Sequence, residues 1–296
     1  MIDLACLLSF VTVVDSGSFG AAAERLGLSP SGVSVQISRL ESALGTRLLA
    51  RGRRASLPTD AGARLLPYAR ELLALEARAR AAVSARSLAI GASGNIATYL
   101  LPDLVRHFAQ APSAQQIDIE VSTFPNPEVI RRLRQRLLDV ALTEWIPADP
   151  ELRGAPWRRE PLVVIMPPDH RLAAEPLLAL DHLACEPMVG GEPGSGTATL
   201  LREVFGEAAD RLQVRRNFGS TEGVKRAVMA GLGVSITMRI AAQPEIAAGA
   251  LVCRELTGVR LIKTLYVVQR REEGEASPAA RFAAFLVGGR DGAPAA

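Results

Sequence analysis

The stretch LSPSGVSVQISRLESALG, Leu28 to Gly45, carries a start signal, a helical pattern and a stop signal together. Ser29-Pro30 supplies an N-cap and then a proline at the first helical position, where the missing N–H has no partner to lose. Gly45 supplies the left-handed residue that commonly ends a helix. Between them Val33, Ile37, Leu40 and Leu44 recur at i, i+4, i+7 and i+11. At 100° per residue they fall within about 60° of one another and form a buried stripe. The opposite face carries Ser31, Val35, Ser38 and Ser42, with Ser34 and Arg39 on its flanks. Serine is a poor helix former, so propensity does not explain this face. It is either a solvated polar stripe or a surface whose short hydroxyls approach a rigid partner closely and bond phosphates or base edges.

The flanking residues bear on that choice. A first helix is expected from about Leu4 to Val14, with Leu4, Leu7, Leu8, Val11 and Val14 on one face. Ser18 can cap a second helix, Phe19 to Leu26, which Gly27 ends. After Gly45, Arg47-Leu48-Leu49 and Ala55-Ser56-Leu57 can pair as short strands around Arg51-Gly52-Arg53-Arg54. Arginines at such a hairpin tip meet phosphate or a minor groove and gain affinity by counterion release. Residues 1–87 hold 11 Lys and Arg against 7 Asp and Glu, whereas the rest holds 23 against 24. Four arginines in a loop are by themselves only a solvated loop. Three short helices, a Ser/Arg third helix and a basic wing together point to DNA.

At 296 residues, 48% hydrophobic and 22% charged, the chain suits two or three globular units and not long disorder. It has no apolar run of the roughly 18 residues that spanning a membrane requires. Asp3 stands where a signal peptide would carry a basic residue. Cys6, Cys185 and Cys253 are too scattered for a metal or redox motif and suit a reducing cytoplasm. Neither cofactor nor metal is expected. Thr59 can cap a long helix to about Ser87, with Leu65, Leu72 and Ala79 repeating every seven and Tyr68, Leu75 and Ala82 three residues on. The helix either packs on its own domain or forms a dimer seam.

From Leu88 onward, apolar runs alternate with helical ones. LAIGAS, Ile117 to Thr123 and Val140 to Thr143 read as strands, with helices at Tyr99 to Ala109 and Pro127 to Leu138: a βαβαβ unit with a parallel sheet. A second series begins at PLVVIMP and includes Pro187 to Val189, a helix near Thr197 to Ala209, QVRRNF, a helix Thr221 to Ala230, and VSITM. LIKTLYVVQ is the expected return strand, and Pro278 to Val287 a closing helix. Two α/β lobes joined by two crossings leave a cleft, the usual place for a small ligand. Three helix starts are expected to face it: Ser93-Gly94-Asn95, Gly194-Ser195-Gly196-Thr197 and Ser220-Thr221. Each pairs hydroxyls with free N–H groups, which suits a carboxylate or inorganic oxyanion, although each alone is an ordinary cap.

The segments FVTVVDSGSFGAAAERL, SPSGVSVQISRLE, LGTRLLARGRR and PTDAG resemble the winged helix-turn-helix of LysR-type transcriptional regulators. Leu49 stands where that family usually has Phe, a difference of packing. GASGNIATYLLP, DVALTE, PPDHRLA, GEPGSGT and GSTEGVKRAVMAGLGVSI resemble its effector domain. The resemblance implies an N-terminal winged helix-turn-helix (1–58), a linker helix for dimerisation (59–87) and a periplasmic-binding-protein-like effector domain of two Rossmann-like lobes (88–296). Lobe I comprises 88–162 and 264–296, and lobe II 163–263. It implies double-stranded DNA with a two-fold promoter site and self-association to a homodimer or homotetramer as partners. The DNA contacts expected are Ser29, Ser31, Ser34, Val35, Gln36, Ser38, Arg39, Arg51, Arg53 and Arg54. The effector contacts expected are Ser93, Asn95, Glu144, Ser195, Thr197, Ser220 and Thr221, around a small anionic metabolite or inorganic oxyanion such as a sulfur oxyanion.

Two rivals have weaker support. His107, His170 and His182 fall in no motif linking them to a nucleophile or a metal, and GEPGSGT is not GxSxG, so catalysis is not expected. A two-lobed solute-binding protein would need a signal peptide and no basic helix-turn-helix.

Overall fold

The computed structural model describes residues 2–51, 56–84, 87–114, 116–191 and 196–289, in two compact units, Met1–Ala85 and Arg86–Ala296.

In the first unit, α1 (Leu4–Ser16), α2 (Phe19–Leu26) and α3 (Pro30–Leu44) pack around Leu7, Phe10, Val13, Ala22, Val33, Ile37 and Leu40. The punctuation read from the sequence acts as anticipated. Ser29 Oγ accepts the Gly32 N–H at 3.1 Å, and Gly45 ends α3 at φ 68°, where a side chain would be strained. The first-helix face differs from expectation. Leu4 and Leu8 are exposed, whereas Cys6, Ser9, Phe10, Thr12 and Val13 are buried, because α2, α3 and the later long helix wrap α1 on more than one side. The wing is also displaced: β1 (Leu49–Arg51) pairs antiparallel with β2 (Ser56–Pro58), in register Leu49 with Pro58. Leu48 and Leu49 are buried and their N–H groups donate to Glu41 Oε1 at 2.8 and 3.3 Å, so α3 itself fixes where the wing begins. Arg53, Arg54 and Ala55 lie outside the described residues, as do Gly194 and Ser195.

The long helix α4 (Asp60–Ser84) spans about 37 Å at 1.5 Å per residue. Thr59 Oγ1 accepts the Gly62 N–H, a cap at the expected place, but Ser87 already belongs to a strand. The expected seam divides. Leu65 joins Leu66, Ala69 and Leu73 against the unit's own core, whereas Tyr68, Leu72 and Leu75 are left exposed.

The second unit contains β3 (Ser87–Ala92), α5 (Gly94–Tyr99), α6 (Leu101–Gln110), β4 (Asp118–Thr123), α7 (Asn126–Arg134) and β5 (Val140–Thr143). Strand β3 pairs parallel with both β4 and β5, as the βαβαβ reading requires. The helix expected from Tyr99 to Ala109 is α6, and a separate short helix, α5, precedes it; Pro102 has no N–H to continue the ladder from α5. Helix α7 stops short of Leu138, and Arg136 has φ 60°. Then comes β6 (Leu152–Met166), longer by nine residues on its N-terminal side than PLVVIMP suggested. Its first part is only intermittently buried and runs through Arg153, Arg158, Arg159 and Glu160, which hid it among charges.

Beyond β6 lie β7 (Leu177–Leu178), α8 (Leu180–Ala184), β8 (Met188–Gly190), α9 (Gly196–Phe205), β9 (Val214–Asn217), α10 (Thr221–Met229) and β10 (Ser235–Met238). α11 (Arg239–Ala247), β11 (Val252–Leu256), β12 (Ile262–Arg270) and α12 (Pro278–Gly288) complete it. The segments β7, α11 and β11 had no sequence reading. The main sheet runs β4-β3-β5-β12-β6-β11-β7, with β10 also on β6. Strand β12 is antiparallel to β5 and β6, so the sheets are mixed. Strand β6 pairs with β12 as far as Pro161 and with β10 from Leu162 onward. One strand thus runs through both lobes, and the cleft opens beside the point where its partners change.

A Cβ on Gly62 would lie 2.1 Å from the Leu48 carbonyl oxygen, so α4 docks on the wing through a glycine. Gly62→Ala is expected to destabilise the first unit by about 1–3 kcal/mol. Gly20→Ala, which faces open space in α2, should instead stabilise it by about 0.5–1 kcal/mol. Urea denaturation of the two variants checks the opposite signs.

Candidate functional site

Two surfaces need explanation. On α3, Ser31, Val35, Ser38 and Arg39 are exposed and Ser34 is half-buried, on the side away from buried Val33, Ile37 and Leu40. Ser29 spends its acceptor on the cap and lies 3.0 Å from Ser31 Oγ. Gln36 Oε1 accepts from the buried Ser9 hydroxyl of α1, which leaves its amide N–H₂ as the outward group. Arg51 sits at the end of β1; its side chain, like Arg53 and Arg54, lies outside what the structure describes.

The second surface is a cavity of about 560 Å³ between the lobes. Its walls include Ser93, Asn95, Asn126 and Glu144 from one lobe and Thr197, Ser220, Thr221 and Glu222 from the other. The centre is Glu144, at the end of β5, with a side chain only 5% exposed. Its Oε1 accepts from Ser93 Oγ at 3.2 Å and Asn95 Nδ2 at 3.4 Å, and its Oε2 accepts from Lys263 Nζ at 2.6 Å. Lys263 Nζ also donates to Thr197 Oγ1 at 3.0 Å. A Cβ on Gly196 would stand 2.7 Å from Glu144 Oε2, so a glycine is what lets α9 begin against the carboxylate.

Five of the residues singled out from the sequence therefore meet: Ser93, Asn95, Glu144, Thr197 and Thr221. Ser93 precedes α5 but makes no side-chain cap; its hydroxyl serves Glu144 instead. Ser220 is a genuine cap, accepting the Gly223 N–H at 3.1 Å. Ser195 lies outside the described residues. Lys263 escaped the sequence reading, although its signal was present. In IKTLYVV, period-2 alternation puts Lys263 on the side of buried Leu265 and Val267, and a lysine in that series needs a buried partner.

Two further bonds cross the cleft. Thr221 Oγ1 donates to Asn95 Oδ1 at 2.6 Å, and Tyr99 Oη donates to Glu222 Oε1 at 2.7 Å. Buried Lys225 holds Glu222 at 2.7 Å and Glu245 at 2.9 Å, with its Nζ 5.1 Å from the Tyr99 ring centre. Burial first, and then the Glu222 hydrogen bond, push the Tyr99 hydroxyl far above the ordinary tyrosine range, so it remains a donor. The hydrogen bonds from Lys225 and then Tyr99 hold the Glu222 carboxyl below its usual range. The histidines lie elsewhere: His107 on α6, His170 as an N-cap beside Glu186, and His182 on α8. Among the described residues no group of three or more His, Cys, Asp or Glu could hold a metal. No helix among them is long and apolar enough to cross a membrane.

Lys263→Met would strand the Glu144 carboxylate. The second unit should lose about 3–5 kcal/mol of stability, and Lys263→Met combined with Glu144→Leu should recover more than half of it. Chemical denaturation of the two variants checks this.

Both units have counterparts among known proteins. Residues 4–63 match the family described as bacterial regulatory helix-turn-helix protein, lysR family, and residues 81–290 match the LysR substrate binding domain. A putative HTH-type transcriptional regulator, PtxE of Stutzerimonas stutzeri, is 39% identical over 198 residues, which cover 67% of this chain and all of that one. The RuBisCO operon transcriptional regulator of Allochromatium vinosum is 30% identical over 292 residues, covering 97% and 96% of the two chains. Among solved structures, the LysR family regulator CbnR superposes with a TM-score of 0.76 at 22% identity, over 96% of this chain and 98% of that one.

Proposed function

The chain belongs to the LysR family of bacterial transcription regulators, a DNA-binding regulator with an effector-binding domain, and we propose that its effector is a small anion held between the lobes. The observation that carries this reading is the cluster of Ser93, Asn95, Thr197 and Thr221 around the Glu144–Lys263 pair. A cavity of about 560 Å³ suits a metabolite or an inorganic oxyanion rather than a polymer. The bonds Asn95–Thr221 and Tyr99–Glu222 give the ligand something to work on, since both join one lobe to the other. A ligand that strengthens or replaces them changes the angle between the lobes by its differential affinity for the two arrangements.

On the DNA side, Ser31, Ser34, Val35 and Ser38, with Gln36 through its amide, read base edges in the major groove. Arg39 and wing residues Arg51, Arg53 and Arg54 hold phosphate, and Ser29 positions the start of the helix. The unpartnered Tyr68, Leu72 and Leu75 on α4 support self-association to a dimer or tetramer, which would offer two recognition helices to a two-fold promoter site. Within this proposal the DNA-binding segment is 1–58, the linker 59–87 and the effector region 88–296, with lobe II at 163–263, and the protein works in the cytoplasm.

The test is a thermal-shift screen of small oxyanions and carboxylates on the full chain, followed by binding to a fluorescent promoter duplex with and without each hit. A ligand at 100 times its Kd raises native-state stability by about 2.7 kcal/mol. Thr221→Val is expected to remove most of the ligand-dependent change in DNA binding and to leave ligand-free DNA affinity within about twofold, since it is not on the DNA surface. If uncharged metabolites alone raise the melting point, the anion reading fails.

A further inference from the structure

Resting on that reading of the cleft, we propose that Glu144 selects anions that carry a hydrogen-bond donor of their own. These are hydrogen oxyanions and hydroxy acids, as opposed to fully deprotonated tetrahedral anions and plain carboxylates. Lys263 is 3% exposed and stands behind Glu144 and Thr197, both of which form part of the cavity wall. The charged group an entering ligand meets at this point is the carboxylate, with its counterion on the far side.

A carboxylate has about four lone-pair positions and no donor. Ser93, Asn95 and Lys263 occupy three of those on Glu144, which leaves one on Oε2. An O–H or N–H can fill it, whereas the bare oxygen of an anion would meet like charge there. The neighbours have the opposite polarity. Thr197 Oγ1 accepts from Lys263, which directs its own hydroxyl proton elsewhere. Asn126 Oδ1 accepts the Glu144 N–H at 3.3 Å, which turns its Nδ2 donors elsewhere. Both residues line the cavity. The wall therefore reads donor, acceptor, donor, and its complement is an anionic oxygen beside a hydroxyl on one small molecule. Glu144 also follows from the backbone, because β5 ends where the lobes meet and Gly196 leaves room for its carboxylate.

Isothermal titration of the full-length protein with charge-matched pairs at pH 8.5, where phosphate is the dianion, and fixed ionic strength tests this. The pairs are hydrogenphosphate against sulfate, glycolate against acetate, and malate against succinate. In the size class that fits, the donor-bearing member is expected to bind at least about 100-fold more tightly than its partner. Glu144→Gln, whose amide offers both a donor and an acceptor, should bring that ratio close to one. The wild-type ratio decides the matter even where this variant folds poorly. Equal or tighter binding of sulfate, acetate or succinate would overturn the selection by Glu144 and leave the anion reading standing. Binding of neutral polyols with no anion bound would overturn both.

Discussion

The cleft depends on one buried ion pair, Lys263 with Glu144. Neither side chain is more than 5% exposed, and their atoms approach to 2.6 Å. Such a pair is a weak source of stability, because two desolvated charges cost nearly what their attraction returns. Its value lies in what it fixes. Lys263 stands one residue into β12, Glu144 follows β5, and Thr197 lies in the first turn of α9, so one ammonium ties the starts of β12 and α9 to the end of β5. Ser93 and Asn95 then orient on Glu144, and Thr221 reaches Asn95 from the opposite wall. Removing the cation leaves the Glu144 carboxylate at the centre of this network without its counterion.

The second organising fact is that β6 serves both lobes. A 15-residue strand with changing partners joins the lobes, and the bonds Asn95–Thr221 and Tyr99–Glu222 join the cavity walls. Within the proposed function, a ligand in the cleft acts on the angle between the lobes rather than on either lobe itself. In the other unit, rigidity is local. Helix α3 is capped at both ends, anchored by Val33, Ile37 and Leu40, and bonded through Glu41 to the start of the wing. Its serine face is thereby held at a fixed orientation to β1.

What could be read in advance followed from how local the governing physics is. Helix α3 was legible because Ser29, Pro30 and Gly45 act within a few residues of themselves, and so was the cap Thr59 on α4. The parallel β4-β3-β5 arrangement followed from alternating apolar runs. The N-terminal part of β6 was not legible, since Arg158, Arg159 and Glu160 resemble a loop until β12 pairs along one edge. The short strands β7 and β11 pair only with distant partners and carry little local signal. On α1, Leu4 and Leu8 were misassigned because period alone cannot say how many sides of a helix are covered. In the cleft, hydroxyls near helix starts pointed to the right neighbourhood but to the wrong chemistry for Ser93, which serves a carboxylate and not a helix end. Lys263 was missed because its partner is 119 residues away, although its place in the alternation of β12 marked it as a buried charge.

The central claim is that the Lys263–Glu144 pair stays closed and that the ligand meets its carboxylate side. A crystal structure of the chain with a donor-bearing anion bound tests it most directly. The account predicts the ligand's O–H within about 2.6–3.2 Å of a Glu144 oxygen, with Lys263 still paired behind it. Glu144 swung out of the cleft, with the anion bonded straight to Lys263, would contradict it.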